Sequence, residues 1–231
     1  MEIKANQIPI LMYHNVHPTN PRHGVTTEDF EAHLQILKNK GYRAISMRDL
    51  YDRWTSNQTT DEKLVVLTFD DGCLGQFLYA TPILEQFGFI AIFYVVGKWV
   101  GSANRMSWSD LQQLLGEGHE IGSHSWSHTK LTKLNPVDLN FELTQSQKVL
   151  SEKLNVPIEH FCYPFGRVNA ETETAVRAVY QTATSTGSKI PQLTRLKRID
   201  CDTVLPRHKP WPKKKWASAH AKVTKFFSDL E

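Results

Sequence analysis

Short apolar segments alternate with amphipathic helical segments along all 231 residues, and this alternation restricts the possible folds more than any other feature of the chain. Residues 90–96 form a fully apolar run, whereas Phe30, Leu34 and Leu37 have the spacing of a buried helix face. No internal repeat, low-complexity segment or linker rich in Pro, Gly or Ser interrupts the pattern. Strands that alternate with helices in this way predict an α/β fold with a parallel sheet.

The pattern predicts the position of each element. Strands are expected at residues 8–13, 44–46, 63–69, 90–96, 120–123, 160–163 and 182–184, with an eighth strand around Val204. Helices are expected at residues 26–41, 47–54, 79–87, 107–115, 135–154 and 169–180. Asn135 followed by Pro136 is a strong helix start, because Asn caps the first turn and Pro lacks an N–H that this turn would leave unpaired.

Two groups of possible metal ligands follow predicted strands. Asp70 and Asp71 come directly after the third strand, where Gly72 allows the backbone to turn, and His124 and His128 follow the strand at 120–123. Imidazole and carboxylate ligands suit zinc, iron, cobalt or nickel, and a site with three protein ligands leaves a coordination position for water. Together the two groups predict a hydrolytic metal centre.

The sequence Thr-Phe-Asp-Asp-Gly at 68–72, combined with His-Ser-Trp-Ser-His at 124–128, resembles the motifs of the polysaccharide deacetylase family (carbohydrate esterase family 4, chitooligosaccharide deacetylase-like). Ile-Leu-Met-Tyr-His-Asn-Val at 10–16 resembles the first strand of the branch that de-N-acetylates poly-N-acetylglucosamine. The resemblance implies that Asp71, His124 and His128 hold the metal and that Asp70 is the general base. It also implies a distorted (β/α)7-8 barrel, TIM-like, with the active site at the carboxyl ends of the strands.

Phe-Cys-Tyr-Pro-Phe-Gly at 161–166 resembles the family's third motif but departs from it at two positions. Many members have Arg-x-Pro-Tyr, whereas this chain has Cys162 at the Arg position and Phe165 at the Tyr position. In the family, the backbone N–H at the Tyr position helps to bind the oxyanion, and a backbone group survives the change to Phe. We therefore expect Tyr163, Pro164 and Phe165 to contact the substrate or its oxyanion.

Three further roles have competing or provisional candidates. Arg167 is the cation nearest in sequence that could orient Asp70 in place of the missing motif-three Arg. His14 and His208 compete as the general acid, and His14 is favoured because its strand end faces the barrel mouth. Trp126 could form a wall for a sugar ring, although packing beneath its loop is the commoner fate of such an aromatic.

Length and charge favour a single barrel domain over residues 1–231, with a basic segment from about 205. The net charge is +3, but from residue 187 onward eleven Lys and Arg face four acidic residues, which gives +7. The lysines at 213–215 could contact an anionic surface, but the solvated end of a terminal helix is the favoured interpretation, and no nucleic-acid partner is expected. Three Cys without a close-spaced pair argue against a disulfide framework.

No segment approaches the roughly 20 apolar residues of a membrane span. The first residues also lack the positive region and long apolar stretch of a secretory leader, so a cytoplasmic enzyme is the default expectation. If a leader has been removed before residue 1, the protein is exported.

The leading hypothesis is a metal-dependent hydrolase that removes N-acetyl groups from an N-acetylglucosamine-type glycan. Zinc is the favoured metal, with cobalt, nickel or iron as alternatives. A second hypothesis keeps the metal site but gives it a small, lipid-linked or nucleotide-linked amino sugar as the substrate for deacetylation or deformylation. A third, motivated by the missing motif-three Arg, is a catalytically silent glycan-binding barrel.

Overall fold

The structure, a computed structural model, describes residues 2–19, 23–186 and 192–202. Its strands are β1 (Ile3–Lys4), β2 (Ile10–Tyr13), β3 (Asn15–His17), β4 (Gly24–Thr26), β5 (Arg43–Ala44), β6 (Thr59–Thr60), β7 (Leu64–Phe69), β8 (Ile92–Val95), β9 (Glu120–Ser123), β10 (His160–Cys162), β11 (Thr182–Ser185), β12 (Leu196–Lys197) and β13 (Ile199–Asp200). Its helices are α1 (Thr27–Asn39), α2 (Met47–Thr55), α3 (Thr81–Phe87), α4 (Trp108–Gly116), α5 (Pro136–Leu154) and α6 (Ala170–Arg177). None of the helices in these ranges has the length and apolar composition that a membrane span requires.

The main sheet is parallel and nearly closed into a barrel. Its strand order is β12-β11-β10-β9-β8-β7-β2-β13, and β5 pairs with the first residues of β7. β12 and β13 lie on either side of Arg198 in one short segment, and β12 pairs with β11 whereas β13 pairs with β2. This segment, residues 196–202, is called the closing segment below, because it joins the two ends of the sheet. The predicted distorted, TIM-like barrel is confirmed.

Most predicted elements are present with slightly shifted ends. The Asn135 side chain caps α5 as predicted, since its Oδ1 accepts the Asp138 N–H at 2.9 Å. The helix predicted at 79–87 begins only at Thr81, because a π-helical turn, Gln76–Ala80, precedes it. The strand predicted around Val204 lies outside the described residues. In the described part of the chain, the two ends of the strand order are β12 and β13.

Alternate residues of the strands point into the barrel and outward beneath the helices. On β7, Val65 and Leu67 belong to the outer core, whereas Leu64 and Val66 belong to a separate inner cluster. Because side chains alternate along a strand, the inward row of β7 continues to Asp70. The strand therefore delivers this carboxyl group to the barrel mouth.

Gly122 on β9 is required by a close approach inside the barrel. A Cβ atom at this position would lie 2.5 Å from the ring of Tyr94 on β8. Since only glycine leaves this space, the large Tyr94 side chain can fill the interior at this level. The next inward residue of the same row is His124, which reaches the mouth above the ring.

Candidate active site

Asp70 is buried and forms a two-pronged ion pair with Arg198. The Arg198 Nη1 and Nη2 atoms donate to Asp70 Oδ1 and Oδ2, each at 2.6 Å. The same guanidinium donates to Thr68 Oγ1 at 3.2 Å and lies 3.1 Å from Cys162 Sγ. Burial favours the neutral carboxyl, but the charge and the hydrogen bonds of Arg198 outweigh it and hold the pKa of Asp70 well below its usual range. Asp70 is therefore ionised at neutral pH.

The cation that orients Asp70 is Arg198, which corrects the prediction of Arg167. Arg167 is exposed and follows the turn Pro164–Gly166 at the end of β10. Arg198 instead enters the barrel between β12 and β13 and packs against Cys162. The small thiol at the family's Arg position leaves the space that this guanidinium occupies.

His14 lies beside Asp70, with its Nε2 3.9 Å from Asp70 Oδ2. Its Nδ1 is hydrogen-bonded to Asp202 Oδ2, and its backbone N–H donates to Asp202 Oδ1 at 3.0 Å. Burial lowers the pKa of His14, but the hydrogen bond and charge of Asp202 and the charge of Asp70 raise it, so that the net result is about 10. His14 is thus protonated at neutral pH next to an ionised carboxylate. The competing candidate, His208, lies outside the described residues.

Asp71, His124 and His128 form a second group of converging side chains. Asp71 Oδ1 lies 3.6 Å from His124 Nε2 and 3.4 Å from His128 Nε2. One ligand atom from each of the three residues lies within 4.8 Å of the others. Among the described residues, the buried Asp71 Oδ1 has no hydrogen-bond partner. A buried carboxylate oxygen without a partner, next to two imidazole nitrogens, fits a transition-metal ion.

Both imidazoles are neutral, and His124 is held with its free nitrogen toward Asp71. His124 Nδ1 lies 2.8 Å from the Cys162 carbonyl oxygen, and since a carbonyl only accepts, Nδ1 carries the proton and Nε2 is free. Burial lowers the pKa of His124. Burial, and after it the neighbouring His124 ring, lower the pKa of His128 to about 4. Neutral imidazoles are the form in which histidine binds metals.

The loops that carry these ligands are strained and anchored. Asp71 and His128 have φ values of 75° and 59°, a left-handed conformation that costs non-glycine residues about 1–3 kcal/mol each. The buried Glu142 of α5 holds the histidine loop by accepting the Ser127 N–H at 2.9 Å and the Ser127 hydroxyl at 2.5 Å. Arg105 donates to the Asp71 carbonyl oxygen at 2.9 Å. These contacts maintain a geometry that the backbone alone would not favour.

A second possible metal group, Asp70, His124 and Cys162, overlaps the first. The Arg198 guanidinium already contacts both Asp70 and Cys162. A metal ion at this position would meet that positive charge and would have to displace it. The group that contains Asp71 is therefore the better fit.

The three residues of the third motif do not share one role. Tyr163 is buried in the outer core, where its N–H donates to a carbonyl of β11 at 3.1 Å and its hydroxyl to the Thr194 carbonyl at 2.9 Å. Pro164 has no N–H to offer. Phe165 has a φ of 60°, and the centroid of its exposed ring lies 4.6 Å from the centroid of the His128 ring. Of the three predicted contacts to an oxyanion, the Phe165 N–H is the one that the geometry leaves available.

Trp126 packs against Gly97, which follows β8. A Cβ atom on Gly97 would lie 2.7 Å from the Trp126 ring, so the indole rests directly on this glycine. The indole next to the metal group is Trp99, whose ring centroid lies 5.1 Å from that of His128. Arg105 stacks over Trp99 at 4.3 Å.

Sequence reasoning missed two residues of this site, Arg198 and Asp202, which are the partners of Asp70 and His14. They lie 128 and 188 positions from their partners Asp70 and His14. The available signal was short: apolar Ile199 and Cys201 alternate with Asp200 and Asp202, which is the period of a strand.

Comparisons with known proteins identify the family of this chain. The sequence model of the family described as "Polysaccharide deacetylase" matches residues 57–183. The putative polysaccharide deacetylase YxkH of Bacillus subtilis (strain 168) is 30% identical over 184 residues, which are 79% of this chain and 66% of YxkH. The peptidoglycan-N-acetylglucosamine deacetylase PgdA of Listeria monocytogenes serotype 1/2a (strain 10403S) is 30% identical over 113 residues, 47% of this chain and 23% of PgdA. The solved structure of Streptococcus pyogenes deacetylase PplD in complex with acetate has a TM-score of 0.78 at 29% identity, over 84% of this chain and 91% of PplD.

The chain spans no more than about two thirds of the length of either curated relative. The family match contains Asp70, Asp71, His124 and His128 but ends before the closing segment. Because the match covers more than half of the chain and the fold agrees with a solved deacetylase, this protein belongs to the polysaccharide deacetylase family.

Proposed function

We propose that the protein is a metal-dependent hydrolase that removes N-acetyl groups from an N-acetylglucosamine-type glycan. The observation that carries the proposal is the placement of an ionised Asp70 next to a protonated His14, beside a group of ligands that fits a metal. These are the protonation states that a general base and a general acid need before the reaction starts. The similarity to PgdA, which acts on N-acetylglucosamine in peptidoglycan by its name, supports this substrate class.

Asp71, His124 and His128 would hold one divalent transition metal, with zinc favoured. A bound metal of this kind lowers the pKa of water and polarises the acetyl carbonyl, which a carboxylate as weakly basic as Asp70 requires. The free Nε2 of His124 and the unpartnered Asp71 Oδ1 are the atoms best prepared to bind it.

The residues of this chain supply the proton transfers. Asp70 takes a proton from the attacking water while the oxygen of this water bonds to the acetyl carbon. The Phe165 N–H donates to the oxyanion that forms. His14 then gives its proton to the nitrogen as the C–N bond breaks, so that the products are acetate and a free amino sugar. Arg198 holds Asp70 ionised, and Asp202 holds His14 protonated.

The test is a screen for acetate release from acetylated glycans, with zinc, cobalt or nickel added. We expect the wild-type protein to release acetate from at least one glycan polymer, and the Asp70→Asn variant to release none. Release from a monosaccharide or nucleotide-linked sugar alone would move the substrate to a small amino sugar. A metal-loaded protein that releases no acetate from any substrate would support a silent glycan-binding barrel and overturn the proposal.

A further inference from the structure

The hydrogen-bond ladder between β2 and β7 stops immediately before the proposed acid and base. Its last register pair is Tyr13 with Phe69, and the Asp70 N–H still donates to the Tyr13 carbonyl at 2.9 Å. One residue further, the His14 N–H turns away to Asp202. The bond from the Asp70 N–H is therefore the last one of the ladder, and the carbonyl groups of His14 and Asp70 lie beyond it.

The Gln76 side chain takes over where the ladder ends. Its Nε2 donates to the His14 carbonyl oxygen at 2.8 Å and to the Asp70 carbonyl oxygen at 2.5 Å. Both partners can only accept, so the amide must present its NH2 group to them. One side chain thus joins the backbones of the two residues that carry the acid and the base.

Gln76 is itself held firmly. It is fully buried and is the first residue of the π-helical turn Gln76–Ala80. Its N–H donates to the Cys73 carbonyl at 3.0 Å, and its own carbonyl accepts the Thr81 hydroxyl at 3.1 Å. π-helical turns are rare and frequent at functional sites, which agrees with a role for this one beyond chain reversal.

We propose that Gln76 is a positioning residue that sets the distance between the His14 imidazole and the Asp70 carboxylate. This inference rests on the proposed function, in which the substrate amide lies between these two groups. Without the amide bridge, the strand ends can separate although each side chain keeps its own partner, Asp202 or Arg198. A misplacement of about 1 Å is enough to cost on the order of 100-fold in rate, because the reacting groups leave their productive geometry.

The chain contains a matched control for this bridge. Gln147 Nε2 also donates to two backbone carbonyls, those of Ile158 at 3.2 Å and Val179 at 2.9 Å. These carbonyls precede β10 and β11, at the opposite end of the barrel from the mouth. Gln147→Met therefore removes the same kind of bridge without touching the site.

The experiment compares Gln76→Met, Gln147→Met and wild-type protein, each loaded with zinc. We expect Gln76→Met to lower kcat by about 10- to 100-fold, because misplaced catalytic groups affect the transition state. We expect its KM to stay within about twofold, because substrate binding is retained. Gln147→Met should leave kcat unchanged. Gln76→Asn, whose shorter side chain cannot reach both carbonyls, should resemble Gln76→Met and serves if the latter does not fold.

A readout that needs no turnover separates the two proposals. The NMR resonances of the His14 ring should shift in Gln76→Met and stay in place in Gln147→Met, whether or not a substrate has been found. Unshifted His14 resonances in folded Gln76→Met, or a kcat equal to wild type, would overturn the positioning role. If the wild-type protein releases no acetate but the His14 resonances still shift in Gln76→Met, the proposed function alone is contradicted.

Discussion

Two ion pairs give the side chains at the barrel mouth their protonation states. Arg198 holds Asp70 ionised, and Asp202 holds His14 protonated, although burial alone would favour the neutral form of both. Had Asp70 and His14 only each other as partners, the two charges would satisfy one another and resist separation by a substrate. Each group instead has its own hydrogen-bonded partner, and His14 Nε2 and Asp70 Oδ2 stay 3.9 Å apart without a direct hydrogen bond.

The Asp70–Arg198 pair should be costly to break. Arg198→Met leaves a buried carboxylate unpaired, and we expect it to lower the free energy of unfolding by about 3–5 kcal/mol. The double variant with Asp70→Asn should lose less, because it removes both charges. The stability that Asp70 contributes through its lowered pKa is present above the ordinary carboxyl pKa and is lost as the pH falls below it. Urea unfolding at neutral and acid pH measures these effects.

The control for this prediction is Arg167→Met. Arg167 is exposed, and a surface substitution of this kind changes stability by no more than about 0.5 kcal/mol. Equal losses in the free energy of unfolding in Arg198→Met and Arg167→Met would show that the buried pair stabilises the protein no more than an exposed arginine does.

The His14–Asp202 pair should set the alkaline limb of the pH–rate profile. The raised pKa keeps His14 protonated up to about pH 10, so an acid-dependent rate falls only as the pH rises beyond this value. Asp202→Asn removes the charge that raises the pKa, and its alkaline limb should therefore move to lower pH. His14→Ala should lose roughly 10²- to 10⁴-fold in rate and retain its metal. An Asp202→Asn profile that matches wild type would rule out this partnership.

At the scale of elements, the closing segment completes both the barrel and the site. Its residues pair with β11 and β2, and its Arg198 and Asp202 side chains reach Asp70 and His14. The residues that follow β2, β7, β9 and β10 supply the remaining groups from the carboxyl ends of these strands. The proposed catalytic residues thus come from several strands, as in other barrels of this type.

Packing between β8 and β9 should be sensitive to a single methyl group. Gly122→Ala places a Cβ atom 2.5 Å from the Tyr94 ring, and such overpacking costs about 1–3 kcal/mol. Because His124 lies two residues further along the same row, we also expect weaker zinc binding. Unfolding and zinc titration measure the two effects.

Gly116→Ala is the control for this substitution. Gly116 ends α4 and has no atom within 4 Å of a built Cβ, so alanine there should stabilise the helix by about 0.5–1 kcal/mol. If Gly122→Ala behaves in the same way, the close approach of Tyr94 does not constrain the barrel.

At the scale of the whole molecule, the sequence predicted whatever depends on local pattern. The strands, most helix starts and the converging Asp and His motifs all follow from neighbouring residues, and the barrel followed from their number and from the family resemblance. The closing segment was not predicted, because its strands have two residues each and depend on partners far away in the chain. Arg198 was counted only among the positive charges of the last part of the chain, although it is buried and pairs with Asp70. Tyr163 was misplaced because the alternation of β10 points it outward.

The roles proposed for the two adjacent carboxylates are separated by measuring metal content and acetate release in the same samples. Wild-type protein should bind one transition-metal ion per chain and release acetate from an acetylated glycan. Asp70→Asn should keep the metal and lose turnover, because it removes a base and no ligand, whereas Asp71→Asn should lose the metal itself. An active Asp70→Asn variant, or an Asp71→Asn variant that binds metal as well as wild type, would contradict the roles of base and metal ligand proposed for these two residues.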